Sequence, residues 1–199
     1  GACSGKSTLI EQFLKKWPQY KTSERTYRDI IKEQNLQIND QGSASSQGII
    51  LDALIKELDD AKDIKDIVFD RCVVDNIVYS LWLYHNKKIT EDFIITSKYK
   101  IREAISKYDI IFYLPRHKDI KIVEKENRNI DANYIDGIDN LYSAIVSSYE
   151  KGLDIFFPLE NCPAVITLNT VPDMRCNMIS LYLKNDGSLY SEKDGEWIY

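Results

Sequence analysis

The first eight residues of the chain have the types and the spacing that hold phosphate. They read Gly-Ala-Cys-Ser-Gly-Lys-Ser-Thr, and Gly5, Lys6 and Ser7 fit the second half of the pattern G-x-x-x-x-G-K-[ST]. A glycine lets the backbone approach phosphate closely, a lysine ammonium reaches the β- and γ-phosphates, and the next hydroxyl ligates Mg²⁺. We therefore predict a nucleotide site formed by Gly1, Ala2, Cys3, Ser4, Gly5, Lys6, Ser7 and Thr8, with Ser7 as a metal ligand.

This motif is incomplete, because its first glycine would stand one position before Gly1. We interpret the sequence as truncated within the motif, so that the strand which normally feeds such a loop is missing. The alternative is a chance Gly-Lys-Ser-Thr at a helix start. A helix is predicted over 6–17, since apolar residues recur there on one side, and its N-terminal dipole would favour bound phosphate.

A second pair of chemical groups, Asp70 and Arg71, follows a short apolar run at 65–70. We predict that this run is a buried parallel strand, and ligands of parallel sheets bind at the carboxyl ends of the strands. The Asp70 carboxylate could hold Mg²⁺ or orient an acceptor, and the Arg71 guanidinium could bind a phosphate with two parallel hydrogen bonds. The alternative is a salt bridge that merely ends the strand.

The remaining pattern predicts the elements that position these groups. Helices are predicted at 29–34, 47–58, 74–85, 89–106, 131–151 and 173–183, and further buried strands at 109–114 and 164–168. Alternating strands and helices indicate an α/β three-layer sandwich with a parallel sheet flanked by helices. We assign residues 1–184 to one domain, with a lid or solvated charged segment at about 116–130, and residues 185–199 to a tail or small hairpin.

Composition narrows the function classes. The chain has 199 residues, 44% of them hydrophobic and 29% charged, with a net charge of −5, which is typical of a globular protein. The negative charge argues against a sequence-independent nucleic-acid binder, though not against a local basic patch. The apolar runs are too short for a membrane helix. The four cysteines form no C-x-x-C pair, so we expect reduced thiols in the cytoplasm rather than disulfides or a zinc site.

Several segments together resemble thymidylate kinases and related phage-type P-loop nucleotide kinases. The segment 69–80, Phe-Asp-Arg-Cys-Val-Val-Asp-Asn-Ile-Val-Tyr-Ser, resembles their Asp-Arg motif and the following helix. The segment 109–115 resembles the strand before their lid, and 127–131 resembles the lid itself. The segments 165–170 and 172–175 resemble the last strand and the base loop. The resemblance covers most of residues 1–184.

This resemblance implies ATP- and Mg²⁺-dependent phosphoryl transfer to a small acceptor, most closely a deoxynucleoside monophosphate. It implies catalytic roles for Lys6, Asp70, Arg71 and Arg128, with Arg116 as a second candidate lid arginine, and metal binding by Ser7 and Asp70. For the acceptor it implies Arg71 and either Arg25 or Arg28. Related kinases are often dimers, so a homodimer is a further expectation. Such roles suit a reaction that depends on positioning and positive charge.

Other residues have both a functional and a structural interpretation. Gln47 opens a predicted helix and could bind an acceptor base, or it could be a solvated helix start. Tyr79, Trp82 and Tyr84 could stack on a base or belong to the core. Asp75 and Asn76 are expected to cap the helix after Arg71.

The sequence also departs from the thymidylate kinase pattern. Cys3 stands where many nucleotide kinases have glycine, and the Arg-Glu-Pro triplet common in thymidylate kinases is absent. The acceptor therefore remains open. The alternatives are a nucleoside kinase, a kinase of modified DNA bases, or a regulatory P-loop ATPase that acts through a partner. Abundant isoleucine, lysine, asparagine and tyrosine suggest an AT-rich genome such as that of a phage.

Overall fold

A computed structural model describes residues 4–23, 26–117 and 131–190. The helices are α1 (Lys6–Lys16), α2 (Tyr27–Glu33), α3 (Ala44–Asp60), α4 (Val73–His85), α5 (Glu91–Ile105), α6 (Ala132–Glu150) and α7 (Arg175–Ile179). The strands are β1 (Lys21–Thr22), β2 (Ile67–Val68), β3 (Ile110–Tyr113) and β4 (Ala164–Thr167), and single 3-10 turns lie at Asn39–Gln41 and Pro172–Met174.

The strands form two parallel ladders. β1 pairs with β2, in the register Lys21 to Ile67, and β3 pairs with β4, in the register Ile110 to Ala164. Parallel neighbours need long crossovers, which are supplied by α2 and α3 in the first ladder and by α6 in the second. The predicted α/β fold with parallel strands flanked by helices is therefore confirmed.

Helices cover both faces of these strands. On one face, Val68 of β2 and Phe112 of β3 pack against a cluster formed by α1 and α7, in which Trp17 is fully buried. On the other face, Ile111 and Val165 pack against the larger cluster formed by α2 to α6. The alternation of Ile111 and Phe112 between the two clusters is the two-residue period of a strand. The expected further strand before Gly1 stays a prediction.

The strands differ from the prediction in length and number. The predicted strand 65–70 pairs only over β2, because Asp66 has a left-handed backbone (φ 60°) that interrupts the extended run. The strand β1 was not predicted, since it consists of two exposed polar residues. Such a strand carries no hydrophobic pattern, and only its pairing with β2 defines it.

The helix boundaries also differ. α3 begins three residues before the predicted start, because the side chains of Ser43 and Ser46 form a reciprocal capping box that turns residues 44–46 into helix. The last helix is shorter than predicted: α7 ends at Ile179, and Leu183 instead forms an antiparallel bridge with Leu189. The Trp17 indole donates a 2.8 Å hydrogen bond to the Lys184 carbonyl, which holds this turn against α1. Residues 191–199 of the predicted tail lie outside the described part.

Within the described ranges, no helix is both long and apolar enough to cross a membrane.

Candidate functional site

The N-terminus of α1 offers backbone donors to an anion. Gly5 precedes the helix with a left-handed backbone (φ 80°), a conformation that glycine adopts without strain, and no side chain caps the helix. The first N–H groups of a helix have no intrahelical partner and lie at the positive end of its dipole. Ser7 and Thr8 are exposed in this first turn. Of the predicted phosphate loop, Gly1, Ala2 and Cys3 lie outside the described residues.

Lys6 lies in a cluster of charged side chains. Its pKa is lowered to about 8, chiefly by burial of the ammonium and then by the charge of Arg71. The carboxylates of Asp75 and Asp70 act in the opposite direction. The structure thus brings the predicted residues Lys6, Asp70 and Arg71 into one electrostatic environment. Bound phosphates would place negative charge beside Lys6 and so stabilise its charged ammonium form.

Asp70 lies just beyond the carboxyl end of β2, as predicted. Its Oδ2 is 3.7 Å from Nη2 of Arg28, whose side chain is 51% exposed. Its Oδ1 is buried and has no hydrogen-bond partner among the residues that the structure describes. A buried carboxylate oxygen without a partner is costly. This oxygen is therefore suited to accept a hydrogen bond from a ligand or to bind a hydrated metal ion.

Arg71 is held by aromatic and acidic side chains. Its Nη1 donates to Asp75 Oδ1 at 3.0 Å, and the guanidinium carbon lies 4.8 Å and 5.5 Å from the ring centres of Tyr27 and Tyr79. Asp75 also accepts hydrogen bonds from the Cys72 backbone N–H at 2.9 Å and from the Tyr142 hydroxyl. Burial raises the pKa of Asp75, but the charges of Arg71 and Lys6 outweigh it and lower the pKa. Asp75 is consequently ionised and fixes the Arg71 guanidinium.

The prediction that Asp75 and Asn76 cap α4 is confirmed only in part. Cys72 is the N-cap residue, and Asp75 bonds back to its N–H from the third helical position. Asn76 instead points to α3, where its Nδ2 donates to the Gln47 carbonyl at 2.8 Å and to the Gln47 side-chain oxygen at 3.1 Å. Asn76 was therefore missed as a site residue, because local sequence does not indicate which helix it meets.

An open pocket lies beside these groups. Its cavity volume is about 80 Å³, and it opens to solvent on one side. Arg71 and Asp75 contribute charged groups, while Gln47 and Asn76 contribute amides. The full lining is Tyr27, Ile31, Ile38, Asn39, Gln47, Ile50, Leu54, Arg71, Asp75, Asn76 and Tyr79. Four aliphatic residues and seven residues with polar groups line it, so a ligand here would make both apolar contacts and hydrogen bonds.

Gln47 is not a solvated helix start, so that alternative is wrong. Its side chain is buried, with 2% of the residue exposed, because α3 begins at Ala44 after the cap Ser43, which puts Gln47 inside the helix. The Asn76 Nδ2 must face the Gln47 backbone carbonyl, which can only accept. The same Nδ2 then faces Gln47 Oε1, so the Gln47 Nε2 is the end that can donate to a ligand.

The remaining predicted residues fall in different places. Tyr79 lines the pocket, whereas Trp82 packs against Tyr134 with ring centres 4.8 Å apart, and Tyr84 packs against His85. Arg116 is bound to two acids of α6, with Nη2 2.5 Å from Asp136 and Nε 2.8 Å from Asp139. The candidates Arg25 and Arg128 lie outside the described residues, as does nearly all of the predicted lid. No group of three or more potential metal ligands occurs among the described His, Cys, Asp and Glu residues.

Comparison with known proteins identifies the family. A family model described as AAA domain matches residues 1–150. The chain belongs to this AAA domain family. No protein of curated function matches the sequence.

Solved structures show the fold of this AAA domain chain. A deoxyadenosine kinase from M. mycoides, solved with products dCMP and a flexible dCDP, is 19% identical over 90% of this chain and 93% of its own, with a TM-score of 0.61. The same kinase with bound dATP is 20% identical over 90% and 93%, with a TM-score of 0.58. This likeness establishes a shared fold with the described helices and parallel strands.

The lowered pKa of Lys6 makes a prediction for the binding of Mg-ATP. Below about pH 8 the ammonium is charged and attracts phosphate; above it the charge is lost, so we expect the dissociation constant to rise by about tenfold per pH unit. Isothermal titration calorimetry from pH 7 to 9.5 measures this slope. Lys6→Arg keeps its charge throughout this range and should give a flat profile. If the dissociation constant changed equally with pH in the wild-type protein and in Lys6→Arg, Lys6 would not be the group that binds the phosphates.

Proposed function

We propose that this chain is an ATP- and Mg²⁺-dependent kinase that phosphorylates a small nucleoside or nucleotide, foremost a deoxynucleoside. The observation that carries the proposal is the Asp70 Oδ1, a buried and unpartnered carboxylate oxygen in the same charged cluster as Lys6 and Arg71. A phosphoryl acceptor needs a carboxylate that orients its hydroxyl and cations that bind the transferred group. The site supplies both beside an open pocket.

The donor side of the proposed reaction is the predicted phosphate loop. The backbone donors after Gly5 and the Lys6 ammonium would bind the phosphates of ATP, and the Ser7 hydroxyl and the Asp70 carboxylate would hold Mg²⁺. The metal ion would neutralise charge between the β- and γ-phosphates. Lys6 is already desolvated, so its attraction for the γ-phosphate is stronger than that of an exposed lysine.

The acceptor side is the pocket between α2, α3 and α4. Gln47 would donate from Nε2 to the base, and Tyr27 or Tyr79 would contact its flat face. Asp70, which directly precedes the pocket residue Arg71, would accept the hydrogen bond of the 5′-hydroxyl. Arg71 is already paired with Asp75, so little of its charge is free for a second phosphate. These features favour a nucleoside over a monophosphate, and the fold-related kinase has dCMP as a product.

A deoxynucleoside monophosphate is the second candidate acceptor. Arg28 favours it, because this guanidinium is half-exposed and its contact with Asp70 is 3.7 Å long, which leaves it able to bind a phosphate. Arg25 is proposed for the same role. Arg128 is proposed as the lid arginine, and Arg116, which binds Asp136 and Asp139 of α6, as a second lid arginine.

Activity assays with a panel of acceptors test the proposal. The chain would be incubated with Mg-ATP and, separately, with deoxynucleosides, deoxynucleoside monophosphates or a short DNA, and ADP release would be followed. We expect release that depends on a deoxynucleoside and that persists when Lys62, an exposed lysine in the turn after α3, is replaced by alanine. Release without any acceptor would instead support a regulatory ATPase, and no release would refute the kinase.

Substitution of Gln47 should weaken binding of the acceptor but not of ATP. In Gln47→Leu the backbone carbonyl still satisfies Asn76, but the donor to the base is lost, so we expect KM for the acceptor to rise about tenfold. KM for ATP should stay unchanged. Steady-state kinetics measure both, with Gln34→Leu, an exposed glutamine at the end of α2, as the matched control. Equal acceptor KM values in Gln47→Leu and the control would contradict a role in base binding.

We also propose a cytoplasmic location. The described cysteines Cys72, Cys162 and Cys176 are all free thiols, as expected for a reducing compartment. A homodimer is proposed on the resemblance to related kinases, and light scattering of the purified chain measures it.

A further inference from the structure

Arg175, the first residue of α7, is a buried arginine at the edge of the phosphate loop. Only 2% of it is exposed. Its Nη1 donates to the Ser4 carbonyl, its Nη2 donates to the Pro115 carbonyl at 2.6 Å, and its Nε is buried without a hydrogen-bond partner among the described residues. Within the same residues no ion pair of Arg175 is formed. A buried guanidinium without a carboxylate is costly, so its place needs an explanation beyond packing.

The first carbonyl that Arg175 binds, that of Ser4, belongs to the phosphate loop. Ser4 is buried and directly precedes Gly5. A trans peptide is planar, so its C=O and the next N–H point in opposite directions. Because the Ser4 carbonyl points to Arg175, the Gly5 N–H points away from this guanidinium. Arg175 therefore sets the direction of a backbone donor at the start of α1.

The second carbonyl belongs to the segment that leads out of the sheet. Pro115 follows the end of β3 by two residues, and the next residue, Arg116, is bound to Asp136 and Asp139 of α6. One guanidinium thus joins three separate parts of the chain: the phosphate loop, the end of β3 and the start of α7. The planar fork of arginine spans two carbonyls, whereas the single nitrogen of lysine is a poor substitute.

We propose that Arg175 is a positioning residue of the donor-nucleotide site, which orients the Ser4–Gly5 peptide and ties it to the exit of β3. This inference rests on the proposed function, because it takes ATP as the ligand of the phosphate loop. It concerns the binding of ATP and not the binding of the acceptor. It gives α7, a short helix remote in sequence from the motif, a direct effect on the affinity for ATP.

The test compares Arg175 with an arginine that also binds two carbonyls elsewhere. Arg102 of α5 donates to the Ile155 and Phe157 carbonyls at 3.3 and 3.4 Å, in a different part of the fold. Unlike Arg175, it also forms an ion pair with Asp154. Arg175→Lys, Arg175→Met, Arg102→Lys and Arg102→Met would each be measured for KM of ATP, KM of the acceptor and melting temperature. We expect the Arg175 variants to raise KM for ATP about tenfold, the equivalent of one hydrogen bond from a charged donor.

A structural role alone predicts a different result. Substitution of either arginine would then lower the melting temperature. Neither substitution would change the ratio of KM for ATP to KM for the acceptor. An unchanged KM for ATP in folded Arg175→Lys, or an equal rise of both KM values, would overturn the proposal. If Arg175→Met does not fold, Arg175→Lys decides, since it keeps the charge and most of the side-chain volume.

A binding measurement separates this inference from the proposed function. The dissociation constant of Mg-ATP is measured by calorimetry without any acceptor. If the wild-type chain binds ATP but phosphorylates nothing, the kinase proposal fails, while a tenfold weaker binding by Arg175→Lys still supports the positioning role. If the wild-type chain does not bind ATP, both are refuted.

Discussion

Replacing Lys6 with alanine is expected to lower kcat/KM by about a thousandfold, the effect of removing one preorganised charged donor from a transferring group. Lys6 is a desolvated cation of the site, and Asp75 and Asp70 only partly offset the burial and the charge of Arg71 that disfavour its ammonium. No other side chain of α1 can supply the lost charge at that position, because Lys15 and Lys16 lie in its last turn. Steady-state kinetics with Mg-ATP measure the loss.

The same variant should not weaken the fold. A lysine whose pKa is lowered to about 8 is destabilised in its charged form by the folded protein. Its removal at pH 7 should therefore leave the free energy of unfolding unchanged or slightly raised. Urea denaturation of Lys6→Ala and of the control Lys62→Ala checks this. A Lys6→Ala protein that loses both activity and stability would indicate a structural role for the lysine.

Asp70→Asn is expected to lower kcat by about a thousandfold with little change in KM for ATP, within the range for loss of a general base. The amide keeps the shape of the carboxylate but can neither take a proton nor attract a cation. The charge lost from Asp70 makes a long contact with half-exposed Arg28, a kind of pair that contributes little to stability, and a favourable interaction with Lys6. Rapid-quench kinetics at saturating substrates measure the chemical step.

Asp63→Asn is the matched control for this change. Asp63 is exposed in the turn after α3, so its amide variant alters the same net charge without touching the site. A kcat for Asp70→Asn within about threefold of this control would show that Asp70 neither orients the acceptor nor holds the metal ion, since either role is worth well over 1 kcal/mol.

Local sequence determined the chemical groups and their approximate order. The phosphate-binding pattern at Gly5, Lys6 and Ser7, and the pair Asp70 and Arg71 at the end of a strand, follow from residue types and spacing alone. The helix periods predicted the main helices to within a few residues, because burial of one face is repeated every turn. Alternating helices and strands were also sufficient to predict the α/β class.

Tertiary structure decided how those groups are held. The pairing of Asn76 with Gln47 joins residues 29 positions apart, and Arg175 reaches Ser4 across 171 positions. No periodicity encodes such contacts, because they depend on which helices and loops pack against one another. The exposed strand β1 likewise exists only through its ladder with β2. Sequence therefore determined which side chains could do the chemistry, whereas packing determined which of them are desolvated, oriented and brought together.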